Sequence, residues 1–306
     1  MQNEDFHIWT NMPNRKVFDS VCTYLIERGA NELNYWRAGQ TTKHTYFKDK
    51  GFFNKPGIKR QLSVEEFFLV LVRLKTGYFA SQLSFLFNIS RSQVGVIFTT
   101  WVNFLSIELK LLFEMPQYSD ETVAAKCYQS FPGLKVILDC LELETQTANI
   151  LQAKKELYSN YKSRTTLKFL IGMSPDLCIT YVSKCWGGRA SDKKITLSSD
   201  KLLNAIPSSS SIMTDRGFDI GDNLKKLGIS LIIPDFKGRN RSQLSKLECQ
   251  NSENIAKARI YVERIIHSIH TFHILDHKAF LSMKDILEQT FITCAYLTNF
   301  QSPIIR

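Results

Sequence analysis

Apolar and polar positions along the chain fall into two regimes, with the change near residue 115. Before it, apolar residues recur every three or four positions, the spacing of one helix face. From residue 13 to about 36 these are Val17, Phe18, Val21, Leu25, Ile26 and Leu33, which predicts a helix. The stretch 39–60 is basic, with aromatics and glycine, and reads as loop. Ser63 with Glu66 three residues later is a capping-box pattern; it opens a helix that runs through the apolar stretch 67–74 to a stop at Gly77. A short helix over 81–87, a turn at 88–90 and a longer periodic stretch from a capping Ser90 through Val94, Ile97, Trp101, Leu105 and Leu112 follow. Helix, tight turn and helix with a polar first turn is the helix-turn-helix pattern, and a plain helical bundle gives the same spacing. In the helix-turn-helix reading Arg91, Ser92 and Gln93 are the DNA-facing residues, because the second helix reads bases from its N-terminal end.

Beyond Pro116 the period shortens. Short apolar runs at 134–140, 166–173, 177–183, 211–215 and 229–233 predict strands, with a hairpin turn at 174–176. Helical spacing returns at 192–205, 219–227, 254–270 and 283–298. The order β-β-β-α-β-α-β-α predicts the α/β class, an RNase H-like mixed sheet flanked by helices, preceded by an all-α helix-turn-helix region. The expected divisions are 1–57, an N-terminal helical region; 58–115, the helix-turn-helix; and 126–306, the catalytic domain.

Three acids stand out against this pattern. Asp139 follows an apolar run and Asp215 follows another, while Glu263 sits in the helical stretch 254–270. A carboxylate delivered by a buried strand is costly without a cation or hydrogen-bond donors to receive it. Such a set suits two Mg²⁺ ions about 4 Å apart and in-line displacement at a phosphodiester. Read one at a time, the three are a strand cap, a turn residue and a solvated helix acid. Asp192 reads either as a supporting ligand or as a helix N-cap. Glu142 lies three residues past Asp139, so in an extended strand it faces the other way. Among 306 residues the 39 Lys and Arg exceed the 29 Asp and Glu, a net charge of +10 that favours a polyanionic partner. The basic run containing Lys237, Arg239, Arg241 and Lys246 reads as a DNA-backbone contact, a surface loop or part of a nuclear import signal. His267, His270, His273 and His277 lack the companions of a zinc site. Seven scattered cysteines without a paired spacing read as reduced thiols. No apolar run reaches the roughly 20 residues of a membrane span, so the chain reads as soluble, intracellular and free of membrane.

The segments 62–75 (LSVEEFFLVLVRLK), 97–105 (IFTTWVNFL), 137–142 (ILDCLE), 158–162 (YSNYK), 187–193 (GGRASDK), 215–219 (DRGFD), 262–264 (VER) and 297–300 (LTNF) carry a resemblance. In that order they resemble the DDE superfamily endonucleases of the PIF/Harbinger transposase type, from about residue 9 to 302. The resemblance implies an RNase H-like core, a helix-turn-helix, two divalent ions (Mg²⁺ or Mn²⁺), and cut-and-paste transposition of double-stranded DNA. It places the catalytic and metal-binding triad on Asp139, Asp215 and Glu263. It further implies action in the nucleus on transposon ends and target DNA, with a separate DNA-binding protein or a homo-oligomer as partner. Such proteins often follow a THAP-type or other DNA-binding module; none precedes residue 1, which reads as a shortened copy or an incomplete gene model. The chain departs from the pattern at Leu141, where Thr is usual, and at Ser268, His270 and His273, where basic residues are usual. Gly95 and Val96 also replace polar or basic residues of the second helix. These departures fit the alternative of a catalytically decayed or host-retained relative that binds DNA or protein.

Overall fold

The computed structural model describes residues 3–35, 63–114, 124–147, 150–235, 245–276, 278–279 and 283–302. The chain forms two compact units: residues 1–112 with 269–277 and 282–303, and residues 113–268 with 278–281 and 304–306. The closing helix of the expected catalytic domain therefore packs with the N-terminal helices.

The helical unit contains α1 (Asn3–Thr10), α2 (Arg15–Glu27), α3 (Ser63–Thr76), α4 (Ala80–Leu86) and α5 (Arg91–Phe113). Asn14 caps α2 by accepting the Val17 amide at 3.0 Å, and the helix stops ahead of Gly29, whose φ of +97° is left-handed. The expected capping box at Ser63 is not what forms there. Ser63 Oγ donates to the Ala30 carbonyl, and Glu66 is buried, accepting from Trp101 Nε1 at 2.8 Å and Tyr35 Oη at 2.5 Å. Phe18, Phe67, Trp101 and Phe104 stack around that carboxylate's neighbourhood as a run of ring contacts. Helix α5 is long and apolar enough to pass for a membrane span, although polar residues interrupt its apolar run; most of its apolar window is buried core. The helix-turn-helix forms as predicted: Ser90 Oγ accepts the Gln93 amide at 3.1 Å and opens α5, with Arg91 and Ser92 exposed and Gln93 half-buried.

The second unit is built on a mixed sheet. Its strands are β1 (Leu134–Glu144), β2 (Tyr158–Ser159), β3 (Arg164–Met173), β4 (Ile179–Val182), β5 (Trp186–Gly187), β6 (Ser211–Met213) and β7 (Ser230–Ile232). The order is β2-β3-β1-β6-β7, with β4 and β5 both pairing β3. β1 is antiparallel to β3 and parallel to β6, and β6 is parallel to β7. β1 runs four residues further than its apolar stretch suggested. Its polar end is held by cross-strand partners: Glu142 pairs with Lys168 and Glu144 with Thr166.

On one face Val136, Leu138 and Leu170 pack with Ile195, Leu202 and Leu224. Those residues come from α7 (Asp192–Leu197), α8 (Asp200–Ala205) and α9 (Gly221–Lys225). The single helix expected over 192–205 breaks at Ser198-Ser199, where Ser199 Oγ bonds back to the Ile195 carbonyl. Between β1 and β2 lies α6 (Leu151–Leu157). The long α10 (Lys246–His270) buries Ile255, Ala258, Val262 and Ile265 in one stripe. Tyr128 Oη bonds the Ala258 carbonyl at 3.1 Å. α10 starts eight residues before the predicted 254 because Ser245 and Glu248 cap each other's backbone amides. The last helix, α11 (Lys284–Leu297), belongs to the helical unit.

Candidate active site

Two acids are brought to one level by strand register. In the parallel pair β1/β6, Ile137 is opposite Met213, the last pair of the ladder. Asp139 and Asp215 each lie two residues beyond it. Asp215 already lies past the end of β6, and its charge acts on Asp139, so the two acids are neighbours at this edge. This is the carboxyl edge of parallel strands, where open α/β sheets place their ligands. Asp139 is thus not at the end of β1, as its apolar run implied; it sits where β1 outlasts its parallel neighbour.

Asp192 joins them from the first turn of α7. Ser191 caps that helix by accepting the Lys194 amide, which leaves the Asp192 carboxylate free to turn to the sheet. There it meets Lys168, whose Nζ lies 3.0 Å from Asp192 and 3.1 Å from Glu142. Lys168 is 10% exposed and Glu142 6%, so the pairing is internal. Burial alone would lower the Lys168 pKa, but the two acids outweigh it and raise it. Thr166 Oγ1 donates to the second Glu142 oxygen at 2.8 Å. Glu142 does face away from Asp139, as the strand period requires.

Gly217 marks the gap between the acids. A Cβ there would stand 3.2 Å from Asp215 Oδ1 and 3.6 Å from Asp192 Oδ2. The Gly217 amide donates to Asp215 at 2.9 Å, orienting it.

Asp139 is poorly compensated. Burial pushes its pKa up to about 6; the Cys140 amide and Arg259 oppose this, and Asp215 and Asp192 add to it. The Arg259 guanidinium of α10 is 3.8 Å from Asp139 Oδ2. Glu263 lies four residues further along α10, on the same side of the helix as Arg259, and is exposed. Asp215 and Asp192 both act on Asp139. Among the described residues no three His, Cys, Asp or Glu side chains converge as the ligands of one ion.

Arg259 and Lys168 were missed in the sequence, although each left a signal. Lys168 is a lone charge in the apolar run 166–173, which burial allows only with a partner. Arg259 is a cation one turn before an acid. Of the residues expected on DNA, Lys246 is exposed at the start of α10, while Lys237, Arg239 and Arg241 lie outside the described residues.

A helix-turn-helix ahead of a mixed sheet of RNase H-like architecture, with acids at the carboxyl edge of its central parallel strands, defines a nucleic-acid-processing class. Comparison with family profiles agrees: the DDE superfamily endonuclease profile matches residues 138–299, and the helix-turn-helix of DDE superfamily endonuclease matches 62–111. The chain belongs to the DDE superfamily endonucleases. Comparison with curated proteins finds none that matches significantly. Divalent metals are general in this family, and its two domains point to DNA.

Proposed function

We propose that the chain is a metal-dependent DNA endonuclease of the PIF/Harbinger transposase type, cutting phosphodiester bonds and joining the freed 3′-hydroxyl to target DNA. The observation that carries this reading is the common level of Asp139 and Asp215 at the edge of β1 and β6. Their donor chemistry fits Mg²⁺ or Mn²⁺: hard oxygens, one of them on a half-buried and under-compensated carboxyl. Magnesium needs only one or two carboxylates beside water and substrate phosphate. Asp139 and Asp215 would hold a first ion, with Glu263 the acid for a second. Bound there, the ions would withdraw charge from the phosphate and ease deprotonation of the attacking hydroxyl.

The chain's own groups do the positioning. The Gly217 amide aims Asp215, Lys168 fixes Asp192 beside the pair, and Arg259 offsets the charge of Asp139. The substrate is double-stranded DNA, as transposon ends and target, in the nucleus; self-association or a separate DNA-binding protein brings the ends together.

A second reading is a transposase-derived protein that binds DNA or a protein without cutting. One observation favours it: a cation, Arg259, faces Asp139, while Glu263 is exposed. Nicking of supercoiled plasmid with Mn²⁺ separates the two. Wild type is expected to nick, and Asp139→Ala and Asp215→Ala to abolish it. Equal inertness of all three, with DNA binding retained, transfers the assignment to the second reading.

A further inference from the structure

The segment 150–162 has no part in the chemistry above, yet it presents an unusual surface. Ile150 is 71% exposed, Leu151 66%, Tyr158 41% and Tyr161 86%. Basic residues alternate with them: Lys154 and Lys155 on α6, Lys162 after Tyr161, and Arg189 from the neighbouring loop. Leu151, Lys154, Lys155, Tyr158, Asn160 and Arg189 line an open pocket of about 370 Å³. Tyr161 follows the pocket's Asn160 in the chain, with the Lys162 ammonium 5.3 Å from its ring centre. Lys154, Lys155 and Arg189 form no ion pair among the described residues.

This surface is seated firmly against the sheet. A Cβ at Gly187 would come within 2.4 Å of the Glu156 carbonyl oxygen, and one at Gly188 within 2.1 Å of Thr166 Oγ1 and 2.8 Å of the Leu157 carbonyl oxygen. Only glycine lets α6 and β2 lie this close to β5. The same chain segment continues through Arg189 to Asp192. Three residues span at most about 11 Å, so the pocket's Arg189 lies within about three nucleotides of the acids along a DNA strand.

The geometry points to a docking surface for an unpaired DNA strand beside the bond to be cut, with Tyr158 and Tyr161 stacking bases and Lys154, Lys155 and Arg189 holding phosphates. A duplex offers phosphates to the lysines but keeps its base faces stacked. Exposed tyrosine and aliphatic surface is rewarded only when bases are splayed out. The inference rests on the DNA-processing reading for the identity of the ligand, but it does not need cleavage.

The test is fluorescence anisotropy of the whole chain in EDTA, with a forked DNA carrying a single-stranded arm and a blunt duplex of the same length. Tyr161→Ala is expected to weaken fork binding roughly five- to a hundred-fold, leave the blunt duplex unchanged, and be rescued by Tyr161→Phe. Lys154→Ala with Lys155→Ala is expected to weaken both and to flatten the salt dependence by about two units of slope. Unchanged fork affinity in Tyr161→Ala overturns the proposal, as does equal loss on fork and duplex. A chain that nicks DNA while Tyr161→Ala is indifferent keeps its catalytic assignment and loses this one; an inert chain with a Tyr161-dependent fork preference does the reverse.

Discussion

Each unit of the molecule encloses a carboxylate, fully in one and in greater part in the other, and the two are treated in opposite ways. Glu66, 1% exposed in the helical unit, receives an indole N–H and a phenol O–H at hydrogen-bond distance. Asp139 receives the amide next to it and one guanidinium at 3.8 Å, with two further acids nearby. A buried acid that is fully received holds a core together. A buried acid left short of partners stores destabilisation, and that is the state of a group awaiting a cation. Glu142, closed in by Lys168 and Thr166, sits on the Glu66 side of this divide although it is only three residues from Asp139.

Three substitutions sharpen the contrast. The largest effect is expected from Glu66→Ala, which takes the acceptor from the buried Trp101 indole and from the half-buried Tyr35 hydroxyl and leaves a cavity, costing roughly 3–5 kcal/mol. Urea unfolding followed by tryptophan fluorescence reads it, since Trp101 is one of the bereaved donors; a loss below about 1 kcal/mol would put Glu66 with Asp139.

Asp139→Asn is expected to have the opposite sign, stabilising the protein at pH 7 by about 1–2 kcal/mol while removing nicking. The pH dependence follows from the raised pKa. The folded state holds the proton up to about pH 6, whereas the unfolded chain releases it near its ordinary 3.8. Wild type therefore matches the Asn variant below about pH 4 and falls behind as pH rises through 6. Melting temperatures across pH 4–8 without metal measure this, and parallel curves would refute it. Metal-dependent nicking is expected to rise over the same interval.

The smallest effect is expected from Gly217→Ala, whose new Cβ presses Asp215 at 3.2 Å without touching the core. Nicking should fall about tenfold, in line with a carboxylate moved by a few tenths of an ångström, while thermal stability stays within about 0.5 kcal/mol. A stability loss exceeding the activity loss would make Gly217 a fold residue.

The parts of this arrangement legible in the sequence are those written in apolar periodicity. The runs 134–140 and 211–215 announced two strands and the acid attached to each, and Ser90 announced the second helix of the helix-turn-helix. Elements whose stability comes from polar partners were hidden. The last four residues of β1 lie beyond the predicted 134–140, because Glu142 and Glu144 become strand residues only when Lys168, Arg164 and Lys278 stand opposite. β2 and β5 have two residues each, too few for any period. Helical periodicity puts Glu263 and the overlooked Arg259 on one face of α10, but it carries no information on which of the two reaches the sheet. Ser63-Glu66 misled for a related reason: a capping pattern and a buried acid meeting Trp101 are spelled identically until the tertiary partner arrives.

The register of β1 against β6 also sets what lengths the chain can tolerate. Between Asp139 and Asp215 run seventy-odd residues, much of them surface connection that can lengthen or shorten at little cost. The two positions from Ile137 to Asp139 and from Met213 to Asp215 have no such freedom. One residue added or lost in either would turn its acid away from its counterpart. Two dipeptide spacers are therefore the least negotiable distances in the molecule.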